Sequence, residues 1–328
     1  MIQKRILFIA PKFYNYEQLI LNEIEKQEFI ADAVFYEFND VIGDSDSSKK
    51  KLIDYQSLLK NFTTNFKYDY LFVIKGNILN FDFLDNFINK NPRANKIIYH
   101  WDSIKNSRLE LELFSMFDKV YSFDLTDIEN YPEHNLIHKP LFYIDSYNKN
   151  VRVEAKFDIA TIGRIDLPRL NYIHAIKTHF PNYRYKILLK AEFNLSFFVR
   201  LLIRGYKKYK QNFTFKTIPT EQSAEIINYS KAILDIPHPQ QSGLTIRTFE
   251  ALALHKKLIT SNNLVSKYDF YHPNNIFILN KENIRDIDTF MNAEFFKIDE
   301  SILKKYALKN WIHSFFSDYP TEYLSKSN

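Results

Sequence analysis

Residues Gln241–Thr260 read QSGLTIRTFEALALHKKLIT. The chain has only 5 glycines in 328 residues, so the placement of Gly243 is informative: glycine supplies positive φ or close backbone approach. Just upstream, Lys231–Ile236 (KAILDI) is a short apolar run followed by Pro237 and Pro239, which predicts a buried strand. From Thr245 the spacing turns helical, with Phe249, Leu252 and Ala253 on one side, and Lys257–Thr260 predicts the next strand. Strand, glycine loop, helix, strand is the unit of a parallel α/β sheet. Its first turn is where such sheets hold anions and nucleotides.

The same alternation runs outward in both directions. Upstream, strand-like runs occur at Arg5–Ala10, Ala33–Phe38, Tyr70–Ile74, Lys96–His100 and Lys119–Phe123. Amphipathic segments separate them at Tyr16–Lys26, Lys50–Phe62, Phe81–Asn89 and Arg108–Phe117. Asp40–Lys51 is a polar loop, and its Asp44-Ser-Asp46 reads as solvated rather than metal-binding. The pattern pauses at Asp145–Glu154 (DSYNKNVRVE), which reads as a linker. It restarts at Phe157–Ile162 and continues through Tyr185–Leu189, Phe213–Thr217 and Asn275–Leu279, with a helical tail over Ser301–Phe316. Alternating strands and helices predict the α/β class, with parallel sheets wrapped by helices. The expected domains are residues 1–145 and 155–300, followed by a tail over 301–328 whose helix returns to the first domain.

Composition narrows the functional classes. A hydrophobic content of 45% excludes wholesale disorder. The absence of cysteine excludes disulfides, cysteine–zinc sites and thiol catalysis. The opening MIQKRILFIAPKF reads as a first strand rather than a signal peptide, and no window approaches the ~20 apolar residues of a spanning helix. A cytoplasmic protein is expected. Net charge is +5, mild for a nucleic-acid binder, and no such motif is present. The basic excess is concentrated in RLLIRGYKKYK at Arg200–Lys210. That stretch reads as a solvated helix end or as a patch meeting anionic lipid at the inner membrane's cytoplasmic face.

In open parallel sheets ligands lie beyond the carboxyl ends of the strands. In the second half these positions are Gly163 and Arg164, then His238 to Thr245, with Gly243, Leu244 and Thr245 among them, then Ser261 and Asn262. Backbone N–H groups of the Gly243 loop and the helix after it suit phosphate, and Thr245 can cap that helix or bond a phosphate oxygen. Arg164 and Arg247 carry fork-shaped donors for phosphate oxygens. Glu250 falls on a face that can reach a sugar hydroxyl pair, although spacing alone reads it as a solvated glutamate. In the first half Gly76 follows the Tyr70–Ile74 strand, His100-Trp101-Asp102 follows the Lys96–Tyr99 strand, and Asp124 follows Tyr121–Phe123. A carboxylate or imidazole at such a strand end can act as general base. Alternatively, Asp102 or Asp124 caps a helix and Trp101 packs. If the strand continued through Asp102, His100 and Asp102 would share a face and could act as a pair.

The Ser242–Thr260 segment resembles the nucleotide-sugar-binding loop and helix of GT-B glycosyltransferases. A wider set of segments looks like bacterial lipopolysaccharide and capsule biosynthesis proteins related to the CgeB-like glycosyltransferases. These are YHWDS at Tyr99, YSFDLTD at Tyr121, IGRID at Ile162, the Gln241 stretch and YDFY at Tyr268. The resemblance implies two Rossmann-like domains whose sheets face across a cleft. It implies that Glu250 bonds the donor ribose, that Gly243, Thr245 and Arg247 line the diphosphate site, and that Gly163 and Arg164 form the phosphate-side loop. Many retaining members carry a second glutamate eight positions before the first. Here that position is Ser242, which leaves the stereochemistry open.

The resulting expectation is a metal-independent transferase without a cofactor. It would move a sugar from a nucleotide-diphosphate donor to a saccharide or lipid-linked acceptor in surface polysaccharide assembly. Asp102 is the favoured base with His100 behind it, ahead of Asp124. Arg164, Arg247 and the helix terminus would meet the charge on the leaving diphosphate. The alternatives are transfer of glycerol phosphate or another phosphoryl group on the same fold, and a non-catalytic scaffold of a polysaccharide complex. The absence of G-x-G-x-x-G argues against a Rossmann dehydrogenase.

Overall fold

The structure is a computed structural model that describes residues 3–41, 45–106, 109, 111–144, 153–191, 211–238, 241–317 and 321–325. The Arg200–Lys210 stretch, Asp44 and most of the Asp145–Glu154 linker lie outside these residues. The chain divides into two compact units: Met1–Pro140 with Leu308–Thr321, and Leu141–Ala307 with Glu322–Asn328.

The first unit follows β1 (Arg5–Pro11), α1 (Tyr16–Lys26), β2 (Ile30–Tyr36), α2 (Phe38–Val41), α3 (Asp46–Asn65), β3 (Tyr70–Ile74), α4 (Phe81–Lys90), β4 (Asn95–His100), β5 (Lys119–Ser122), α5 (Leu125–Asn130) and β6 (Ile137–His138). Its sheet has the order β2-β1-β3-β4-β5-β6, with every pairing parallel. The central strands are continuous apolar runs because helices cover both faces; all five residues of β3 (YLFVI) are buried. Local signals start the helices. The Asn80 side chain accepts from Phe83 N and opens α4, whose buried face is Phe83, Leu84 and Phe87. Ser45 opens α3 by accepting from Ser48 N.

The second unit follows β7 (Phe157–Arg164), α6 (Leu167–His179), β8 (Tyr185–Lys190), β9 (Phe213–Thr214), α7 (Thr220–Asn228), β10 (Ser230–Asp235), α8 (Ile246–Ala253), β11 (Lys257–Thr260), β12 (Ile276–Ile278), α9 (Ile287–Asn292) and α10 (Glu300–Lys305). Its sheet runs β12-β11-β10-β7-β8-β9, again all parallel. Counted from β7, that is the doubly wound order of a Rossmann domain. Both units are therefore Rossmann-like, as the alternation predicts.

Three local expectations are corrected. The tail is two helices rather than one: α10 ends at Lys305 in the second unit, and α11 (Leu308–Phe316) belongs to the first. There Trp311 and Phe315 are fully buried against Tyr99 and Phe72, with ring centroids 5.0 and 4.7 Å apart. The break falls at Tyr306-Ala307, where Tyr306 is pinned by its hydroxyl to Asp269 at 2.6 Å. The Asp40–Lys51 loop is helical at both of its ends, because Ser45 supplies a cap. The expected Arg108–Phe117 helix is a 3-10 segment over Leu111–Met116.

Candidate functional site

A doubly wound sheet has a switch point, where the connections of two neighbouring strands leave in opposite directions and a crevice opens beyond their carboxyl ends. In the second sheet it lies between β7 and β10. β7 ends at Gly163-Arg164. Asp166 caps α6 by accepting from Arg169 N, and the Arg169 side chain folds back over the strand end. Its guanidinium donates to the carbonyls of Arg164 and of Ile236, the latter at 2.5 Å, and pairs with Asp166 at 3.1 Å. A Cβ added at Gly163 would lie 3.1 Å from this guanidinium. Gly163 is therefore a glycine that admits an arginine, a role its sequence did not suggest.

β10 ends at Asp235, which is buried. It accepts the Thr245 hydroxyl at 2.6 Å and the Thr248 hydroxyl at 3.5 Å. Burial pushes the Asp235 carboxyl above its ordinary pKa. The Thr245 hydrogen bond and the charges of Arg169 and Arg247 oppose that rise, and Glu250 adds to it. Thr245 also caps α8, accepting from Arg247 N at 3.2 Å. Glu250 is fully buried and paired with the Arg247 guanidinium, whose side chain is 18% exposed. Glu250 is thus neither the solvated glutamate that spacing suggests nor an openly presented carboxylate. Leu244 anchors the loop in the core. The carbonyls of Ser242 and Gly243 accept from Asn262 Nδ2 at 2.8 and 3.4 Å. Gly243 does not have positive φ; among the described glycines only Gly76 does. Arg164 and His238 are exposed. One strand edge therefore gathers Gly163, Arg164, His238, Gly243, Leu244, Thr245, Arg247 and Glu250.

The switch point of the first sheet lies between β1 and β3. After β3, Lys75 and Gly76 are both left-handed, with φ of 65° and 78°. Only a glycine tolerates the second of these without strain, and a Cβ there would also lie 3.2 Å from Ile98 and Leu79 methyls. This turn aims Lys75 at Asp102, with which it pairs, and over the Phe38 ring at 4.3 Å. Ala10, Pro11, Phe13, Tyr16, Lys75 and Trp101 line a narrow crevice here of about 10 Å³, room for about one water. Phe13 and Tyr16 meet Trp101 with ring centroids 6.0 and 5.8 Å away.

The three candidate bases have different surroundings. Asp102 is 42% exposed at its side chain. His100 is buried against the Phe114 ring at 4.8 Å, and its Nε2 has no hydrogen-bond partner. Burial, aided by the charge of Lys75, lowers its pKa to about 3. Strand β4 stops at His100, and no hydrogen bond joins His100 to Asp102, so the paired arrangement does not form. Asp124 is fully buried and caps α5, accepting from Thr126 N at 3.0 Å, from the Thr126 hydroxyl at 2.8 Å and from the Ser103 hydroxyl. Its neighbour Asp127 accepts the Ser122 hydroxyl at 2.5 Å and Ile104 N at 3.0 Å, and burial raises its pKa to about 6. Among the described residues no group of three or more His, Asp or Glu is placed to hold a metal ion, and no helix is long and apolar enough to cross a membrane.

Sequence reading missed Arg169, Asp235 and Lys75. Two of them had signals: an aspartate inside an otherwise apolar strand (KAILDI), and a lysine-glycine step directly after one (YLFVIKG). Arg169 had none, because its role depends on a side chain folding back across two strand ends.

No family model and no curated protein matches the chain. Solved structures do match its fold. A lipopolysaccharide outer core galactosyltransferase, WaaB in its apo form, superposes with a TM-score of 0.57 at 12% identity, over 95% of this chain and 98% of that one. A UDP-forming trehalose-phosphate synthase from Burkholderia xenovorans gives 0.63 at 8% identity, over 96% and 98%. A glycosyltransferase involved in avilamycin A biosynthesis gives 0.59 at 8%, over 95% and 96%. The chain thus has a GT-B glycosyltransferase fold across nearly its whole length.

Proposed function

We propose that the protein is a glycosyltransferase that moves a sugar from a nucleotide-diphosphate donor to a saccharide or lipid-linked acceptor in bacterial surface polysaccharide assembly. The observation that carries this reading is the edge of the second sheet at its switch point. Arg164, exposed at the end of β7, and Arg247, partly exposed in the first turn of α8 after the Gly243 loop, both follow strands that flank this switch point. That grouping suits a diphosphate, and it belongs to a fold shared with enzymes whose names specify sugar transfer. Glu250, buried under Arg247 and paired with it, would hold that guanidinium in place for the diphosphate.

Asp102 is the proposed base. Of the three candidates its carboxylate is the one open to solvent, next to Trp101 in sequence and paired with Lys75. The acceptor hydroxyl attacks the anomeric carbon and its proton passes to Asp102. The bond from that carbon to the diphosphate oxygen breaks, and the arginines meet the charge left on the diphosphate without a metal ion. The basic Arg200–Lys210 sequence would bring the enzyme to the membrane surface where lipid-linked acceptors lie.

Thermal unfolding with UDP-, GDP-, dTDP- and CMP-sugars, followed by product analysis, tests the reading. One donor at 100 times its Kd should stabilise by about 2.7 kcal/mol, and its sugar should appear on an acceptor. Stabilisation with transfer of a phosphoryl group instead would replace sugar transfer with phosphoryl transfer. No stabilisation by any of the four would point to a scaffold.

A further inference from the structure

At the amino-terminal end of the second sheet, opposite the donor edge, the segment entering β12 and the segment between α9 and α10 line an open pocket of about 600 Å³. That lies within the roughly 300–1,000 Å³ of small-molecule sites. One wall is a pair of stacked rings, His272 and Phe296, with centroids 4.0 Å apart and planes 6° from parallel. Phe296 is 52% exposed. A scattered exposed phenylalanine needs no explanation, but this one is held rigidly from behind. Buried Asn275 accepts Phe296 N at 2.8 Å and donates its Nδ2 to the Phe296 carbonyl at 2.8 Å. His272 Nδ1 accepts Asn274 N at 3.2 Å, which places the neutral ring's proton on Nε2. The platform is therefore fixed before any ligand arrives, so little ordering cost is left for binding.

The polar groups around the rings define the ligand. Asp269 is occupied by Lys305 Nζ at 2.7 Å and the Tyr306 hydroxyl at 2.6 Å. Lys297, Asp299, Glu300 and Tyr271 also line the pocket; Asp299 accepts Ser301 N at 2.6 Å and Glu300 lies 3.9 Å from Lys304 Nζ. With each carboxylate already engaged by a donor or a lysine, the lining offers acceptors and donors rather than one uncompensated charge. It matches hydroxyl groups, each of which donates and accepts. The electron-rich aromatic face meets the C–H hydrogens on one side of a pyranose, which the ring oxygens leave partly positive. We propose that this pocket is a saccharide-binding site, separate from the donor edge, that takes a neutral hexopyranose unit of a glycan chain. It would tether a glycan without taking part in the chemistry, and it does not depend on the transferase reading.

Saturation-transfer NMR on the full chain tests it, with methyl α- and β-glucopyranoside, methyl α- and β-galactopyranoside, maltose, cellobiose and lactose as probes. At least one probe should receive saturation on the C–H hydrogens of a single ring face. Phe296→Ala should reduce that signal at least 10-fold with an unchanged melting temperature, and Phe296→Trp should retain it. Saturating nucleotide should leave it unaffected. The proposal is overturned by no transfer to any probe in the wild-type chain, by full transfer in Phe296→Ala, or by displacement with nucleotide. The last result would move the sugar to the donor edge.

Discussion

At the edge of the first sheet the Lys75–Asp102 pair leaves the Asp102 side chain 42% exposed, whereas at the edge of the second the Arg247–Glu250 pair leaves Glu250 only 1% exposed. Both join a basic side chain to a carboxylate at the carboxyl end of a parallel sheet: Lys75 and Asp102 follow two neighbouring strands, and Arg247 and Glu250 lie one turn apart on α8. Physically they differ. In the first pair the carboxylate meets water although Lys75 is only 13% exposed. Asp102 can therefore be solvated when the pair opens, and such pairs contribute about 0–1 kcal/mol. A buried pair is costly to split, because the survivor is left as a charge in low dielectric. The first edge thus has a carboxylate available for chemistry, and the second has a charged network that holds its own loop in place. Arg169, Asp235 and Thr245 extend that network across β7, β10 and the start of α8.

The largest expected effect breaks this contrast from the buried side. Glu250→Ala should lower unfolding free energy by about 3–5 kcal/mol, the range for breaking a buried pair, as measured by urea denaturation. A loss under about 1 kcal/mol would make the two pairs equivalent and remove the distinction. Asp102→Asn is the reciprocal test. Turnover should fall ~10²-fold or more, as loss of a general base does, which is about 2.7 kcal/mol of barrier. Donor affinity should hold and stability should change by no more than about 1 kcal/mol. Near-normal turnover would shift the base elsewhere, and lost donor binding would make Asp102 structural.

A third test compares acids within the first unit. Burial raises Asp127 to about 6 from an ordinary 3.8, so between these values the folded chain holds a proton that the unfolded chain has released. Stability from this group is therefore full below about pH 4 and declines as pH rises towards 6, by at most about 1.4 kcal/mol per pH unit. Asp127→Asn should remove that declining component from a pH series of denaturation midpoints, and an unaltered series would show that Asp127 is not buried in solution as described. The smallest effect sharpens the contrast again. Arg164→Ala, at an exposed position, should alter stability by less than about 0.5 kcal/mol while weakening nucleotide binding by about 1.5–3 kcal/mol, the range for a charge-assisted hydrogen bond. Calorimetry separates the two, and unchanged affinity would take Arg164 out of the donor site.

The parallel sheets were legible because their central strands are uninterrupted apolar runs, and Lys257–Thr260 coincides with β11 residue for residue. The helix with Phe249, Leu252 and Ala253 inward was legible for the same reason, and all three are buried. The state of Glu250 was not. Periodicity reports which face a residue shares, not whether an arginine three positions earlier will turn inward to meet it. His100 misled in the opposite direction: its residue type suggested a proton shuttle, while its burial against Phe114 keeps it neutral. Gly243 drew attention through its rarity, yet the backbone that requires glycine is at Gly76. Sequence spacing alone does not distinguish a turn that needs positive φ from one that merely tolerates it.

The path of the chain between its units has a consequence for synthesis. The first unit's core includes Trp311 and Phe315 on α11, and the second includes Tyr323, all nearly or fully buried. A nascent chain commonly folds its amino-terminal domain first, while later residues are still being added. Here residues 1–140 leave the ribosome without the helix that covers Tyr99 and Phe72, and that helix is made only after almost all of the second unit. Until then the part of the first sheet around Tyr99 and Phe72 is uncovered, a standing target for holding chaperones. Both units acquire their last core residues within the same few seconds.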